Sequence, residues 1–240
     1  MEIAVISDKG LLRKKNEDNS LALESHGLFV VCDGMGGHKG GDIASRLAVD
    51  CIREFFLHED KDNLINNPIA KLNMAIQKAN QHIWLEGKNN SECHDMGTTV
   101  TAALLIDKQL SVANVGDSSL YIMRNKKLKK ITHDHTLAEQ MVNDGLLKKE
   151  EKKGSAYNHI LTRALGVEPQ VEIDNFESRL YSRDIIMLCS DGLSDMLDEK
   201  VIEAILKPDK SLEENTHILL DAALKNGGQD NITIVLVRIK

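Results

Sequence analysis

The chain has 240 residues, of which 42% are hydrophobic and 28% charged, so a globular core is expected, with one large domain favoured over two small ones. Its net charge of −7 argues against nonspecific binding to nucleic acid or anionic lipid, and no block of basic residues offsets that charge. No segment approaches the roughly 20 consecutive apolar residues of a membrane span, so we expect neither a nucleic acid nor a membrane as partner.

Nine short segments are typical of β-strands, because they are rich in β-branched residues and several alternate between apolar and polar positions. In chain order they are residues 2–6, 20–24, 28–32, 98–106, 109–115, 119–123, 171–177, 184–189 and 231–239.

Helices are predicted between these strands. From Ile43 onward, apolar residues recur at every fourth position and give one broad apolar face. A second helix follows Pro68 and repeats a spacing of three to four residues. Residues 136–139 and 211–214 match the capping-box pattern that opens a helix. Because strands and helices are partly segregated along the chain, we expect the α+β class, with helices packed on antiparallel sheets.

Two lysine-rich stretches, 126–130 and 148–153, are short and mixed in charge, and we interpret both as solvated turns. Residues 144–160 lack a firm apolar stripe in their second half. They could form a mobile flap over a site or a charged surface loop, and the sequence favours neither.

The cysteines and the N-terminus bear on the compartment. None of the four cysteines forms a CxxC pair, and three lie inside apolar stretches, where a cysteine usually packs as a small hydrophobic residue. Residues 1–5 do not have the basic and apolar regions of a signal peptide. We therefore expect a reduced, cytoplasmic protein.

Four acidic residues each stand at the boundary of an apolar run, namely Asp33, Asp117, Asp191 and Asp230. The run predicts a buried strand, and the acid marks where that strand leaves the core. Carboxylates brought together at sheet ends would repel one another unless a cation neutralised them. Such hard ligands suit Mg²⁺ or Mn²⁺, and two ions roughly 4 Å apart can activate a water and hold a phosphoryl oxygen. The alternative is that each acid belongs to an ordinary turn, which is weaker for all four together than for one.

A polar segment near the N-terminus adds phosphate-binding chemistry. Arg13 could bind a phosphate through two parallel hydrogen bonds. Glu17 and Asp18 could hydrogen-bond waters around the ions. Gly34, which has no side chain, would let its carbonyl approach an ion closely. Taken alone, residues 8–19 would be interpreted as a polar hairpin loop.

Other phosphate-binding and hydrolytic motifs do not fit. Residues 33–41 are glycine-rich and precede a helix, but they match neither GxGxxG nor GxxxxGK[ST]. Residues 116–120 lack the closing glycine of a GxSxG elbow. The nine histidines are scattered without the spacing of a zinc site. A covalent serine or cysteine mechanism therefore has no support.

Eight motifs resemble, in order, those of the type 2C family of metal-dependent Ser/Thr protein phosphatases, especially its compact bacterial members. They are Gly10-x-x-Arg13-x-x-Asn-Glu-Asp18, Val31-Cys-Asp-Gly-Met-Gly-Gly37, Gly97-Thr-Thr99, Asn114-Val-Gly-Asp-Ser118, Thr132-x-Asp-His135, Leu161-Thr-Arg-Ala-Leu-Gly166, Ser190-Asp-Gly-Leu193 and Asp230-Asn-Ile-Thr233. The resemblance implies a four-layer α/β/β/α sandwich of two antiparallel sheets flanked by helices. It also implies one catalytic domain over residues 1–240, with a flap subdomain at about 144–160.

The resemblance further implies a core site with two ions, Mn²⁺ or Mg²⁺. Asp33 would bridge both ions, and the Gly34 carbonyl would bind one of them. Asp191 and Asp230 would complete the ligands of the first ion.

A third, more weakly held ion is implied at Asp117, together with Asp191 and Asp195. Arg13 would bind the substrate phosphate, and Arg13, Asp33 and Asp191 would form the catalytic set. Water activated by the ions would attack phosphorus in line, without a phosphoenzyme.

The chain departs from the family pattern at two places. Many eukaryotic members have a histidine, proposed as the general acid, where this chain has Met35. His38 is an alternative donor, but we favour a water on the ions, with His38 as a solvated loop residue. The frequent Asp-Ser-Arg is Asp117-Ser-Ser119 here, so a contact usually made by that arginine is missing.

We expect hydrolysis of phosphoserine and phosphothreonine in proteins, with phosphorylated proteins as substrates, opposing a cognate bacterial Ser/Thr kinase, and a monomeric enzyme. Three alternatives are a pseudophosphatase that only binds a partner, a phosphatase specialised for a small regulatory protein, and an unrelated metal nuclease. The pseudophosphatase is disfavoured because every expected carboxylate is present, and the nuclease by the net charge of −7.

Overall fold

The computed structural model describes residues 1–36, 40–59, 66–206 and 209–240, and its strands form two antiparallel sheets. The strands are β1 (Glu2–Asp8), β2 (Asp18–Leu23), β3 (Leu28–Met35), β4 (Gly97–Thr98), β5 (Val100–Ile106), β6 (Gln109–Val115), β7 (Ser119–Arg124), β8 (Lys127–Lys130), β9 (Asp174–Arg179), β10 (Ile185–Cys189) and β11 (Ile232–Arg238). The first sheet has the order β1-β11-β10-β7-β8. The second has the order β2-β3-β5-β6-β9, with β4 paired to β3.

The central strands are mostly apolar because both of their faces are buried. In β3, Leu28 and Val30 face the helices that cover the second sheet, whereas Phe29 and Val31 face the first sheet. Successive side chains of a strand point to opposite faces, so a strand covered on both sides buries all of its side chains, and few of them are polar. β11 follows the same rule in the first sheet, where Val235 faces the second sheet.

The helices form the two outer layers. They are α1 (Gly40–His58), α2 (Pro68–Asn89), α3 (Leu137–Asn143), α4 (Asp191–Ser194), α5 (Glu199–Ile205) and α6 (Leu212–Lys225). Helices α1 and α2 pack on the second sheet, and α4, α5 and α6 pack on the first. This order of layers confirms the predicted α/β/β/α sandwich.

Helices begin at both predicted capping sites, with an N-cap hydrogen bond at Thr136 and a complete capping box at Ser211. Thr136 accepts a hydrogen bond on its hydroxyl from the Glu139 N–H (3.3 Å) at the start of α3. At α6, the Glu214 N–H donates to the Ser211 hydroxyl (3.1 Å), and the Ser211 N–H donates to the Glu214 carboxylate (3.0 Å). These hydrogen bonds satisfy amide groups that have no partner inside the helix.

The interpretation of residues 126–130 as a solvated turn was wrong. Lys127–Lys130 is an edge strand that pairs with β7, and Leu128 packs on the apolar cluster beneath it. Asn125 and Lys126 have φ of 51° and 64°, the left-handed geometry of a two-residue hairpin turn. Lys127 and Lys129 occupy the solvent face of the strand and protect its open edge, which gives the segment the composition of a turn.

Two other predicted strands differ in their bounds. The segment 98–106 divides at Thr99, where β4 ends and β5 begins, because each pairs with a different part of β3. The strand predicted at 171–177 begins and ends later: β9 runs from Asp174 to Arg179 and pairs with β6. Among the described helices, none combines the length and hydropathy that crossing a bilayer requires.

Replacing Phe29 by Ala should lower the free energy of unfolding by about 3–5 kcal/mol, because its ring is fully buried between the two sheets. Urea denaturation followed by circular dichroism measures this change. As a control, Leu146→Ala should stay within about 0.5 kcal/mol of the parent, since Leu146 is 72% exposed. A loss below about 1 kcal/mol at Phe29 would show that the layer between the sheets is loosely packed.

Candidate active site

The four strand-end acids meet at one end of the sandwich. Asp33 and Asp117 come from the second sheet, at β3 and after β6, and Asp191 and Asp230 come from the first, after β10 and before β11. All four line a single cavity of about 480 Å³. The cavity therefore lies at the strand ends of both sheets and is lined by acids that are far apart in the chain.

Backbone packing fixes the position of Asp33. Its N–H donates to the Thr99 hydroxyl, and its carbonyl accepts from the Thr99 N–H, both at 2.9 Å. The next residue, Gly34, also lines the cavity. A Cβ at Gly34 would lie 2.1 Å from the Gly41 carbonyl oxygen, so α1 can approach β3 only because this position has no side chain.

The acids strongly perturb one another. Burial, followed by the nearby carboxylates of Asp18 and Asp191, raises the pKa of Asp33 well above its ordinary value. Burial and the charge of Asp191 likewise raise the pKa of Asp117. Without a counter-charge, burial and mutual repulsion therefore disfavour the ionised forms of these side chains.

The donor set fits divalent cations. The Oδ1 atom of Asp191 is buried and has no hydrogen-bond partner within the described part of the chain. An unpartnered carboxylate oxygen beside three other carboxylates provides hard, anionic ligands of the kind that Mg²⁺ and Mn²⁺ prefer. The cluster would lose its repulsion if such ions were bound.

Arg13 lies at the mouth of the cavity, where its Nη2 donates to the Asp230 carboxylate at 2.5 Å. This hydrogen bond raises the pKa of the guanidinium, which stays charged. Asn231 fixes the loop that carries Arg13, because its amide donates to the carbonyls of Lys9 (2.9 Å) and Lys15 (2.8 Å). No sequence pattern indicated this role of Asn231, although the residue stands inside the Asp230-Asn-Ile-Thr motif.

Glu17 and Asp18 are both close to the acids, but they differ in environment. Glu17 lines the cavity, and burial raises its pKa. Asp18 is buried behind it and accepts a hydrogen bond from the Ser190 hydroxyl at 2.7 Å. Burial raises the pKa of Asp18 to about 7. Both residues lie close enough to the acids for the predicted role, but their hydrogen bonds to waters around the ions stay a prediction.

His159 was missed by the sequence analysis, yet it lines the cavity. Its Nδ1 lies 3.4 Å from Asp195 Oδ2 and 3.9 Å from Asp191 Oδ2. The neighbouring carboxylates of Asp191 and Asp195 raise its pKa to about 9. The Asn158 amide also donates to Asp195, at 3.2 Å. A single histidine inside a charged stretch has no spacing pattern that could have revealed it.

The segment 144–160 is tied to the body of the protein by ion pairs. Lys152 binds Asp134 at 2.7 Å and also contacts Glu139 on α3. Burial acts to raise the pKa of Asp134, but Lys130 and Lys152 outweigh it, and the pKa is lowered. The interpretation of 148–153 as a solvated turn was therefore wrong for Lys152, whose side chain is 18% exposed.

The two departures from the family pattern have different surroundings. Met35 lines the cavity and has no proton to donate. His38, the other candidate donor, lies outside the described residues. Ser119, where the family often has arginine, is buried, and its hydroxyl donates to the Asp117 carbonyl at 3.2 Å. The serine therefore supports the backbone of Asp117.

Comparison with known proteins agrees with this site. The family model for Protein phosphatase 2C matches residues 5–141. The serine/threonine phosphatase stp of Listeria monocytogenes is 37% identical, over 96% of this chain and 93% of the relative. The structure of Stp1 from Staphylococcus aureus superposes with a TM-score of 0.92 at 32% identity, covering 100% of this chain and 95% of that one. The catalytic domain of PstP, in complex with two manganese ions, has a TM-score of 0.88 at 33% identity, covering 100% and 98%.

The fold and these matches define a metal-dependent phosphatase class with two antiparallel sheets between helix layers. The chain belongs to the protein phosphatase 2C family. The predicted enzyme class, a protein-serine/threonine phosphatase, is confirmed by these relatives.

Mn²⁺ should raise the melting temperature of the metal-free protein, and by more at pH 8 than at pH 5.5. Folding raises the pKa of Asp33 and Asp117. The stability that these two groups contribute is therefore fully present below the ordinary carboxyl pKa of about 4, and it is lost as the pH rises toward their pKa values in the folded protein. Bound cations replace the protons that are lost. At 100 times its dissociation constant, the ion adds about 2.7 kcal/mol, which differential scanning fluorimetry can detect.

The matched variant is Asp33→Asn, which removes the charge at similar size. It should melt at a higher temperature than the parent without metal, and it should respond less to Mn²⁺. An equal response at both pH values would contradict the coupling of protons and cations at this cluster.

Proposed function

We propose that the cavity lined by the four acids is where the enzyme hydrolyses phosphoserine and phosphothreonine in proteins. The observation that carries this proposal is the convergence of Asp33, Asp117, Asp191 and Asp230, from two sheets, beside the charged group of Arg13. Both parts are needed, since the acids alone would suit any cation site and the arginine alone any anion site.

Asp33 and the Gly34 carbonyl would hold two ions, with Asp191 and Asp230 completing the first ion's ligands. The two manganese ions of the PstP catalytic domain support this number. Asp117 would serve a third ion with Asp191. When bound, Mn²⁺ or Mg²⁺ supplies Lewis-acid stabilisation of the phosphoryl oxygens and lowers the pKa of water.

Arg13 would orient the phosphate. Its side chain is 56% exposed at the cavity mouth, so the guanidinium can turn toward an incoming phosphate and keep one contact with Asp230. A guanidinium presents two parallel donors to a phosphate, which fixes the phosphate as well as attracting it. The backbone of the Arg13 loop is held by Asn231, so this group is positioned before substrate arrives.

We further propose that residues 1–240 form a single catalytic domain, in which 144–160 is a flap subdomain. Asn158 and His159 support this view because they reach the acids, whereas Lys152 anchors the segment to Asp134. The cavity is completed within one chain, which supports a monomer. The four cysteines are free thiols, which supports a cytoplasmic location, where a Ser/Thr kinase would form the substrates.

Asp33→Ala and Asp191→Ala should each lower kcat/KM on a phosphothreonine peptide by more than about 100-fold. Replacing a residue that only hydrogen-bonds to a metal ligand lowers activity by up to about 100-fold. Asp33 and Asp191 are proposed as ligands themselves, so their loss should have a larger effect. Steady-state phosphate release measures the change, and EDTA should have a similar effect on the parent.

The control is Asp50→Asn, since Asp50 lies on the surface of α1, where it pairs with Arg53. It should keep full activity. If either cavity variant folded and retained activity, or if EDTA left the rate unchanged, another site would have to carry the reaction.

Arg13→Lys should lower kcat/KM by about 10- to 100-fold, because it keeps the positive charge and loses the paired donors that bind phosphate. The loss should appear mainly in KM and in the affinity for inorganic phosphate as a competitive inhibitor. An unchanged inhibition constant for phosphate would place the phosphate away from Arg13.

A further inference from the structure

A second cleft of about 330 Å³ adjoins the catalytic cavity. The two share four lining residues, namely Arg13, His159, Asp191 and Asp230. The walls that belong to the second cleft alone include Leu12, Met196 and Gln229. A protein chain whose phosphorylated side chain enters the first cavity can therefore place a neighbouring residue in this cleft.

Leu12 is exposed on a well-fixed backbone. Its side chain is 69% exposed and immediately precedes Arg13. The Leu11 N–H donates to the Gly228 carbonyl at 2.8 Å, and a Cβ at Gly10 would lie 2.2 Å from the Asp230 carbonyl oxygen, so the loop is packed tightly on residues 228–230. A large apolar side chain held in solvent by such a loop is suited to contact with a partner.

Two further parts of the cleft lining, at Met196 and Gly192, are apolar or bare, whereas its other residues are polar or charged. Met196 packs on the cluster under the first sheet, and its carbonyl accepts from the Asn226 amide at 2.9 Å, so it forms a fixed wall. At Gly192 a Cβ would lie 2.0 Å from the Asn231 carbonyl oxygen, which keeps this part of the lining free of side chains. Methionine adapts to differently shaped apolar groups.

The charges that line the cleft already have partners. Arg13 pairs with Asp230 at 2.5 Å, and His159 pairs with Asp195 at 3.4 Å. Asp191 is a proposed ion ligand. A charged side chain would therefore gain little here and would lose hydration, whereas an apolar one would bury Leu12 and the Met196 thioether.

We propose that this cleft binds an apolar side chain of the phosphoprotein substrate, close in sequence to the phosphorylated residue. The proposal rests on the catalytic cavity proposed above. In an extended peptide, residues two positions apart lie on the same face and about 7 Å apart. The position two residues from the phosphothreonine, on one side of it, is therefore the one expected to enter the cleft.

The test uses phosphothreonine peptides that carry Leu, Ala, Arg or Glu two residues before or after the phosphorylated residue. For the parent enzyme with Mn²⁺, Leu should exceed Ala by about tenfold in kcat/KM at one of the two positions. Arg and Glu should not exceed Ala there. Equal rates for all four peptides at both positions, or a preference for Arg or Glu, would overturn the proposal.

Leu12→Ala and Met196→Ala should each reduce the Leu preference to about twofold or less. Leu57→Ala is the matched control, since Leu57 on α1 is also exposed (51%) but lies outside the cleft, and it should keep the preference. Leu12 is a surface residue, so its variant should fold even if the Met196 variant does not. A preference that survives Leu12→Ala would overturn the assignment.

Hydrolysis of para-nitrophenyl phosphate separates this inference from the proposed function. That substrate has no flanking residue, so Leu12→Ala should hydrolyse it at the parent's rate while losing the peptide preference. If the parent itself failed to hydrolyse it with Mn²⁺, the proposed catalytic site would fail. If the parent hydrolysed it but showed no peptide preference, only the cleft proposal would fail.

Discussion

The mutual repulsion of carboxylates at one end of the sandwich is the constraint on which the rest of this structure depends. Burial and neighbouring charge raise the pKa of Asp33 and Asp117, which shows that the fold holds these acids where they are unfavourable without cations. The opposing stabilisation comes from apolar layers on both sides of each sheet. Because the sheets are buried on both faces, the acids can be held at their ends with little freedom to move apart.

Much of the fold could be predicted because central strands and amphipathic helices leave periodic patterns. β3 is apolar at every position from Leu28 to Cys32, and the caps at Thr136 and Ser211 follow a local rule. β8 was missed because an edge strand needs only one apolar contact, that of Leu128, and its lysines match the composition of a turn. Edge strands are specified by a partner, which no local pattern reveals.

The residues of the site also differ in whether a local sequence pattern reveals them. Strand-end acids are visible in the sequence because each interrupts a recognisable apolar run. His159 and Asn231 have no such context, and their contacts arise only when distant loops meet: Asn231 binds the carbonyl of Lys9, and His159 approaches Asp195. The burial of Lys152 is also a tertiary effect, since its partner Asp134 lies on another loop. The local composition predicts that the lysines of this segment are solvated, but the pairing of Lys152 with Asp134 holds its side chain largely out of solvent.

The two sides of the catalytic cavity differ in the contacts that hold them. The Arg13 loop is fixed by neutral hydrogen bonds from Asn231, which depend little on salt. The segment 144–160 is held by the ion pairs of Lys152 and by the contact of His159 with carboxylates that cations would also bind. Ions at those acids would compete with His159 for the same oxygens. Ions would likewise compete with Arg13 for Asp230. Loading the site would therefore free both side chains, while the hydrogen bonds that Asn231 makes to the backbone of the Arg13 loop, and that the N–H groups of Leu137 and Ala138 make to residues 157–160, would stay in place.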